Sequence, residues 1–178
     1  LWGNSVAILV GDFLFARAST TVAELGVEYV MLQAETFSRL VQGQIAETKG
    51  HAAGEDPLAH YLQVIADKTG SLIAASARFG GMVSGASPET LAALSAFGEE
   101  VDRVFQLSDD LIDITSTSTG KTPGTDLREG VPTLPVLMLR AEADPADADL
   151  LALIEGDLDS DEALAEALAA LRAHPVMA

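Results

Sequence analysis

The residues best suited to chemistry stand in one short run, Phe105-Gln106-Leu107-Ser108-Asp109-Asp110-Leu111-Ile112-Asp113-Ile114. On a helix, residues four apart lie one above the other, so Asp109 and Asp113 share a face. Asp110 stands beside them, ~100° round the axis. Left bare, like charges at this spacing repel by roughly a few tenths of a kcal/mol. A divalent cation reverses the sign of that cost. Mg²⁺ in particular is held through one or two carboxylates together with substrate phosphates. The competing reading is a solvated acidic face, the usual meaning of a charge run. Two features weigh against it. Phe105, Leu107, Leu111, Ile112 and Ile114 make the run largely apolar, and the polar stretch Thr119-Gly120-Lys121-Thr122-Pro123-Gly124-Thr125-Asp126 follows it with a lysine in a glycine-rich setting.

Lysine is scarce: Lys49, Lys68 and Lys121 are the full set. Lys68 lies in Ala66-Asp67-Lys68-Thr69-Gly70, inside an otherwise apolar helical run. A lone lysine there reads as a snorkelling surface residue. The second reading makes Lys68 and Lys121 ammonium donors to phosphate oxygens near a bound metal.

The composition narrows the setting. The chain has 178 residues, 10 Lys and Arg against 27 Asp and Glu, and a net charge of −17. At 48% hydrophobic residues it is too apolar for disorder. The negative charge argues against binding nucleic acid, which rests on clustered Lys and Arg, and against adhesion to an anionic membrane. Cysteine is absent. Disulfides, thiolate zinc sites and cysteine nucleophiles are therefore excluded, and a reducing, cytoplasmic compartment is compatible. A metal must be held by oxygen or by histidine, which puts Mg²⁺-like ions first. His51, His60 and His174 show no ligand spacing and read as surface or loop residues.

Helical signals dominate, and strand-like alternation is nearly absent. Asn4 or Ser5 is placed to cap a first helix that stops before Gly26. Its apolar run, 6–18, is interrupted by Asp12 and Arg17 and reads as a buried helix rather than a signal peptide or membrane span. Apolar residues at Val27, Val30, Met31, Ala34, Phe37, Leu40, Val41 and Ile45 predict a second helix over 27–49. A third is predicted over 57–82, with Pro57 in its first turn. Ser87-Pro88 opens a fourth, ending near Thr115. The stretch 116–132 reads as a loop, and a loop that long is usually functional. Further helices are predicted over 133–142, 147–155 and 161–173, the last capped by Ser160. The fold class is all-α, and the chain reads as a single domain.

Five segments, in order, resemble the trans-type isoprenyl diphosphate synthases, the polyprenyl synthetase family. Phe105-Gln106-x-x-Asp109-Asp110-x-x-Asp113 with Gly120-Lys121-x-x-Gly124-x-Asp126-Leu127 resembles the second aspartate-rich motif and its following loop. Gly11-Asp12-Phe13-Leu14, Gln42-Gly43-Gln44 and Lys68-Thr69-Gly70-Ser71-Leu72 resemble three further family segments. The resemblance implies an isoprenoid-synthase helical bundle, seen in part. It implies a Mg²⁺-dependent enzyme that condenses an allylic diphosphate with isopentenyl diphosphate. Asp109 would be the surest metal ligand, with Asp110 and Asp113 completing the motif. Lys68 and Lys121 would hold the allylic diphosphate. Thr69 and Gln106 would lie beside the reacting carbons. The resemblance also implies a homodimer, with the first two helices at the subunit interface. No transmembrane segment is expected, because no uninterrupted apolar stretch reaches the ~18 residues a membrane span needs.

The chain departs from the family in three places. The first aspartate-rich motif is absent and is expected upstream of Leu1, so the chain reads as an internal segment of a polyprenyl synthetase domain. Asp102-Arg103 stands where small or apolar residues are expected. Val131 stands where many members carry a phosphate-binding lysine. The alternatives are a non-catalytic partner subunit of a heteromeric synthase, or a terpene cyclase. With half of the implied metal clamp missing, residues 1–178 alone are expected to turn over no substrate. Prenyl transfer by that segment in a product assay would overturn the expectation.

Overall fold

The computed structural model describes residues 3–115, 123–142 and 144–177. Among them the regular structure is helical. The chain forms two compact units, Leu1–Lys49 with Val64–Asp102, and Gly50–Gln63 with Arg103–Ala178.

Helix α1 spans Asn4–Ala23. Its N-cap is Gly3, whose carbonyl accepts from Val6 and Ala7 N–H at 3.0 and 3.1 Å. The expected caps, Asn4 and Ser5, lie inside the helix instead. Gly26 follows at φ +127°, a left-handed turn that glycine alone adopts readily. It feeds α2, Val27–Lys49. Then come α3, Pro57–Ile65, a π-helical turn over Ala66–Gly70, and α4, Ser71–Val83. The single helix expected over 57–82 is thus broken in the middle. The break falls on Asp67-Lys68-Thr69-Gly70, a polar stretch with no apolar stripe to hold the α-helical pitch.

Helix α5, Pro88–Thr115, has the expected cap, with Ser87 Oγ accepting from Thr90 N–H at 3.3 Å. Helix α6, Thr125–Arg128, lies within the stretch read as loop. Gly124, at φ +73°, supplies the left-handed residue before it. Helix α7 is Leu134–Glu142, α8 is Ala148–Ile154 and α9 is Asp161–Ala173. Ser160 caps α9 as expected, accepting from Ala163 N–H at 3.1 Å.

The first unit is built by close approach. Tyr29 of α2 stacks on Phe79 of α4 with ring centroids 5.8 Å apart. A Cβ placed on Gly98 of α5 would stand 2.5 Å from Ala74 Cα and 2.7 Å from Ala74 N, so the α4 and α5 backbones meet directly there. The second unit holds the larger apolar core: Ile114, Leu127, Val136, Leu139, Ile154 and Leu158, closed by Leu164, Ala167, Leu168 and Leu171 of α9. Arg172 Nε donates to the Ile114 carbonyl at 2.6 Å, satisfying one of the acceptors left open at the end of α5.

The expectation that α1 is buried is not met. None of its described residues is buried, and Ile8, Leu9, Phe13 and Leu14 each expose 60% or more of their surface. The helix has 20 residues and a mean hydropathy of 1.5, long and apolar enough to cross a membrane, a test that core helices of soluble proteins also pass. Phe15 alone finds an aromatic partner, Phe37 of α2, at 4.4 Å between centroids.

Because backbone faces Gly98, Gly98→Ala is expected to destabilise the protein by about 1–3 kcal/mol or more through overpacking. Gly80, with nothing within 4 Å of its added Cβ, serves as the control. Gly80→Ala is expected to be neutral or stabilising by up to about 1 kcal/mol. Thermal melts of both variants check the contrast.

Candidate active site

The second unit brings the aspartate run together with the start of two later helices. Asp110 Oδ2 accepts a hydrogen bond from the Tyr61 hydroxyl of α3 at 2.6 Å and from Leu134 N–H at 2.7 Å. Leu134 opens α7, and the first N–H groups of a helix have no partner within it. Asp110 therefore caps α7 from a distance in sequence. Asp113 accepts from the backbone N–H groups of Thr125 and Asp126, at the start of α6. Its own carbonyl accepts from Gly124 N–H at 2.9 Å. Asp113 Oδ2 is buried with no hydrogen-bond partner among the described residues.

The electrostatics follow from this placement. Burial pushes the Asp110 carboxyl above the ordinary aspartate value, and the charges of Asp126 and Asp109 push the same way. The bonds from Tyr61 and Leu134 pull it back. Burial also raises Asp113, again with Asp126 and Asp109 adding to it, against the two backbone donors. Asp109, Asp110, Asp113 and Asp126 thus form one repelling group. The donors are hard oxygens, and the unpartnered Asp113 Oδ2 is an acceptor ready for a cation, so the set fits an oxygen-bound divalent ion. Among the described residues no three acidic or histidine side chains already converge as a complete metal cage. Gln106, half-buried, lies one turn before Asp109 and Asp110 on α5.

Lys68 and Thr69 belong to the first unit, on the π-helical turn. Lys68 Nζ donates to both carboxylate oxygens of Glu47 on α2, at 2.9 and 2.7 Å. Gln44 also donates to Glu47 Oε2, at 2.7 Å. A Cβ on Gly43 would stand 2.8 Å from Lys68 N, so the glycine of the Gln-Gly-Gln segment is what lets the π turn sit against α2. Lys121 lies outside the described residues. Val131 is partly exposed, and its N–H donates to the Asp126 carbonyl at 2.9 Å. Asp102 is fully buried, and it fits because the residue facing it is Gly70, where an added Cβ would stand 3.0 Å from Asp102 Oδ2.

Sequence reasoning singled out the aspartates but not the groups that hold them. Tyr61 and the Leu134 N–H are distant in sequence from Asp110 and carry no motif of their own. Glu47 belongs to none of the motifs. The two prolines of Pro132-Thr133-Leu134-Pro135 were the one available signal that a helix start with unpaired N–H groups falls at 134.

An aspartate-rich helix on an all-helical scaffold is a feature that comparison with known proteins can test. Residues 1–171 match the polyprenyl synthetase family. The chain is 52% identical to nonaprenyl diphosphate synthase of Mycobacterium tuberculosis, over 99% of the chain and 53% of that protein. It is 40% identical to dimethylallyltranstransferase of the same organism, over 98% of the chain and 53% of that protein. Geranylgeranyl pyrophosphate synthase of Corynebacterium glutamicum, solved with calcium and isoprenyl diphosphate, superposes with a TM-score of 0.88 at 47% identity, over 98% of the chain and 55% of that structure. The chain spans about half the length of these relatives. The fold is that of the helical isoprenyl synthases. The chain belongs to the polyprenyl synthetase family.

Tyr61→Phe keeps the ring and removes the hydroxyl from a carboxylate. The expected loss is about 1.5–3 kcal/mol of stability, the usual worth of a hydrogen bond to a charged group. Denaturant unfolding of Tyr61→Phe, Asp110→Asn and the double variant checks it. Strictly additive losses would show that the two side chains are not coupled.

Proposed function

We propose that the protein is a trans-prenyltransferase that lengthens an allylic diphosphate with isopentenyl diphosphate to make a longer polyprenyl diphosphate. The reaction breaks the allylic C–O bond, releases diphosphate, forms a C–C bond to the isopentenyl alkene and loses a proton. The observation that carries this reading is the acidic group on α5, with the buried, unpartnered Asp113 Oδ2 at its edge. Asp109, Asp110 and Asp113 would hold Mg²⁺, Asp110 with the oxygen that Tyr61 and Leu134 leave available. When bound, the metal supplies positive charge to the leaving diphosphate.

The chain's own residues do the rest. Lys68 and Lys121 bind the allylic diphosphate and offset its charge as the C–O bond breaks. Lys68 must first exchange Glu47 for phosphate oxygens. That pair is about 40% exposed on both sides, so it is worth at most about 1 kcal/mol and yields readily to a more highly charged ligand. Thr69 and Gln106 present an oxygen to the developing cation, and apolar helix faces keep water from quenching it.

The named relatives are synthases, which favours this reading over a non-catalytic subunit or a cyclase. The exposed apolar face of α1 supports a homodimer in which a second copy covers it. We place the enzyme in the cytoplasm.

The test is a prenyl-transfer assay on the protein at its native length, with isopentenyl diphosphate and geranyl, farnesyl or geranylgeranyl diphosphate. A Mg²⁺-dependent ladder of five-carbon additions is the expected result, abolished by chelation. Asp109→Asn is expected to lower kcat by about 10²–10³, the scale of losing one electrostatic stabiliser of the transition state. No extension by a folded protein would overturn the reading.

A further inference from the structure

Arg39 belongs to none of the motifs singled out above, yet its guanidinium reaches into the turn that carries two of the proposed site residues. Nε donates to Asp67 Oδ1 at 3.0 Å, Nη1 to Glu99 Oε1 at 3.0 Å and Nη2 to the Ala66 carbonyl at 3.4 Å. Ala66 and Asp67 are the first two residues of the π-helical turn, and Lys68 and Thr69 are the next two. Glu99 is on α5 and Arg39 on α2, so the arginine ties the turn to the helices on either side of it.

We infer that Arg39 is a positioning residue that clamps the π-helical turn in the shape that presents Lys68 and Thr69. The inference rests on the reading that these two residues meet the allylic diphosphate. Three observations carry it. A π turn departs locally from the α-helical hydrogen-bond ladder, and the Ala66 carbonyl, which accepts from Ser71 N–H, keeps a second lone pair for a donor from outside. Arg39 supplies one to Ala66 and pairs with the adjacent Asp67. Second, the turn is seated against α2 at Gly43, whose added Cβ would collide with Lys68 N at 2.8 Å and with the Asp67 carbonyl carbon at 3.1 Å. Gly43 and Arg39 stand four residues apart, on one face of α2. The same helix face thus provides both the space and the grip. Third, the contact needs a planar fork. Lysine has one ammonium point and cannot span a carbonyl and two carboxylates at once.

The turn is also pulled from its other side, since Lys68 itself pairs with Glu47 one turn or two further along α2. When Lys68 leaves Glu47 for a diphosphate, that tie is lost. Arg39 then remains to keep the turn in place.

The experiment compares Arg39→Met, Arg39→Lys and Glu99→Gln in the protein at its native length. Hydrogen–deuterium exchange is read without substrate, and steady-state kinetics with both substrates. In Arg39→Met the amides of 66–71 are expected to exchange at least about tenfold faster while those of α9 are unchanged. The KM for the allylic diphosphate is expected to rise about tenfold, with the KM for isopentenyl diphosphate within about twofold. Arg39→Lys is expected to fall between, Glu99→Gln to move the same readouts by less, and the double variant Arg39→Met/Glu99→Gln to move them less than additively. Unchanged exchange over 66–71 in a folded Arg39→Met protein would overturn the clamp. So would a uniform rise in exchange and in both KM values, which is the signature of a general stabiliser. The exchange arm needs no substrate, so it decides the clamp even if wild-type protein transfers no prenyl group, an outcome that would sink the functional reading alone.

Discussion

Carboxylates gathered without a counter-charge repel one another, and the second unit is organised around that constraint. Asp110 and Asp113 are both raised by burial and by acidic neighbours. The repulsion is offset locally by groups that have donors to spare. Leu134 N–H and the N–H groups of Thr125 and Asp126 lie at helix starts, where the ladder leaves donors unpaired. Tyr61 adds a hydroxyl. Each carboxylate thus satisfies a helix that would otherwise begin with orphaned donors. These bonds serve stability and, on the proposed reading, hold the same carboxylates for chemistry. Helices α6 and α7 must start where Asp113 and Asp110 can reach. The α9 core then closes over Ile114 and Leu127, which fixes the end of α5 and α6 together.

In the first unit the governing constraint is distance. Backbones meet at Gly98 and Gly43, where no side chain would fit. The π turn is held by side-chain donors as well as by close contact. Arg39 and Ser71 serve it from outside the turn, the latter donating its hydroxyl to the Asp67 carbonyl at 2.7 Å. A buried acid, Asp102, has room nearby because Gly70 contributes no Cβ.

Much of this was legible in the residues, and the boundary between legible and hidden has a physical cause. Helical period and caps are local, so α2, α5 and α9 fall where Val27, Ser87 and Ser160 place them. The aspartate run is also local and stands out against its apolar neighbours. The π turn was not legible, because a polar stretch alone does not specify it and the residues that contact it, Arg39 and Gly43, lie more than twenty residues away in sequence. Tyr61 and Leu134 were missed for the same reason. Helix α6 was read as loop because a four-residue helix has too few positions to show a period. Helix α1 was misjudged from the opposite direction. Its interrupted apolar run reads as a buried helix, yet among the described residues α2 covers it only in part and none of its side chains is buried.

The net charge of −17 sharpens the account of how such a chain would accept a diphosphate. Arg39 faces Asp67 and Glu99, Lys68 faces Glu47, Arg128 faces Asp161 and Arg140 faces Glu155. Each of these cations already has an acid beside it. At these four residues an incoming diphosphate would have to displace a carboxylate from its partner or bring its own positive charge. Lys68 is suited to the first route, since its pair with Glu47 is exposed and weak. The aspartates of α5 are suited to the second, since a divalent ion relieves their repulsion and meets the phosphate oxygens in one step. On the proposed reading the two routes are linked. Metal held by the acids lowers the charge of the ligand, and the exchange at Lys68 then needs only to beat a surface ion pair.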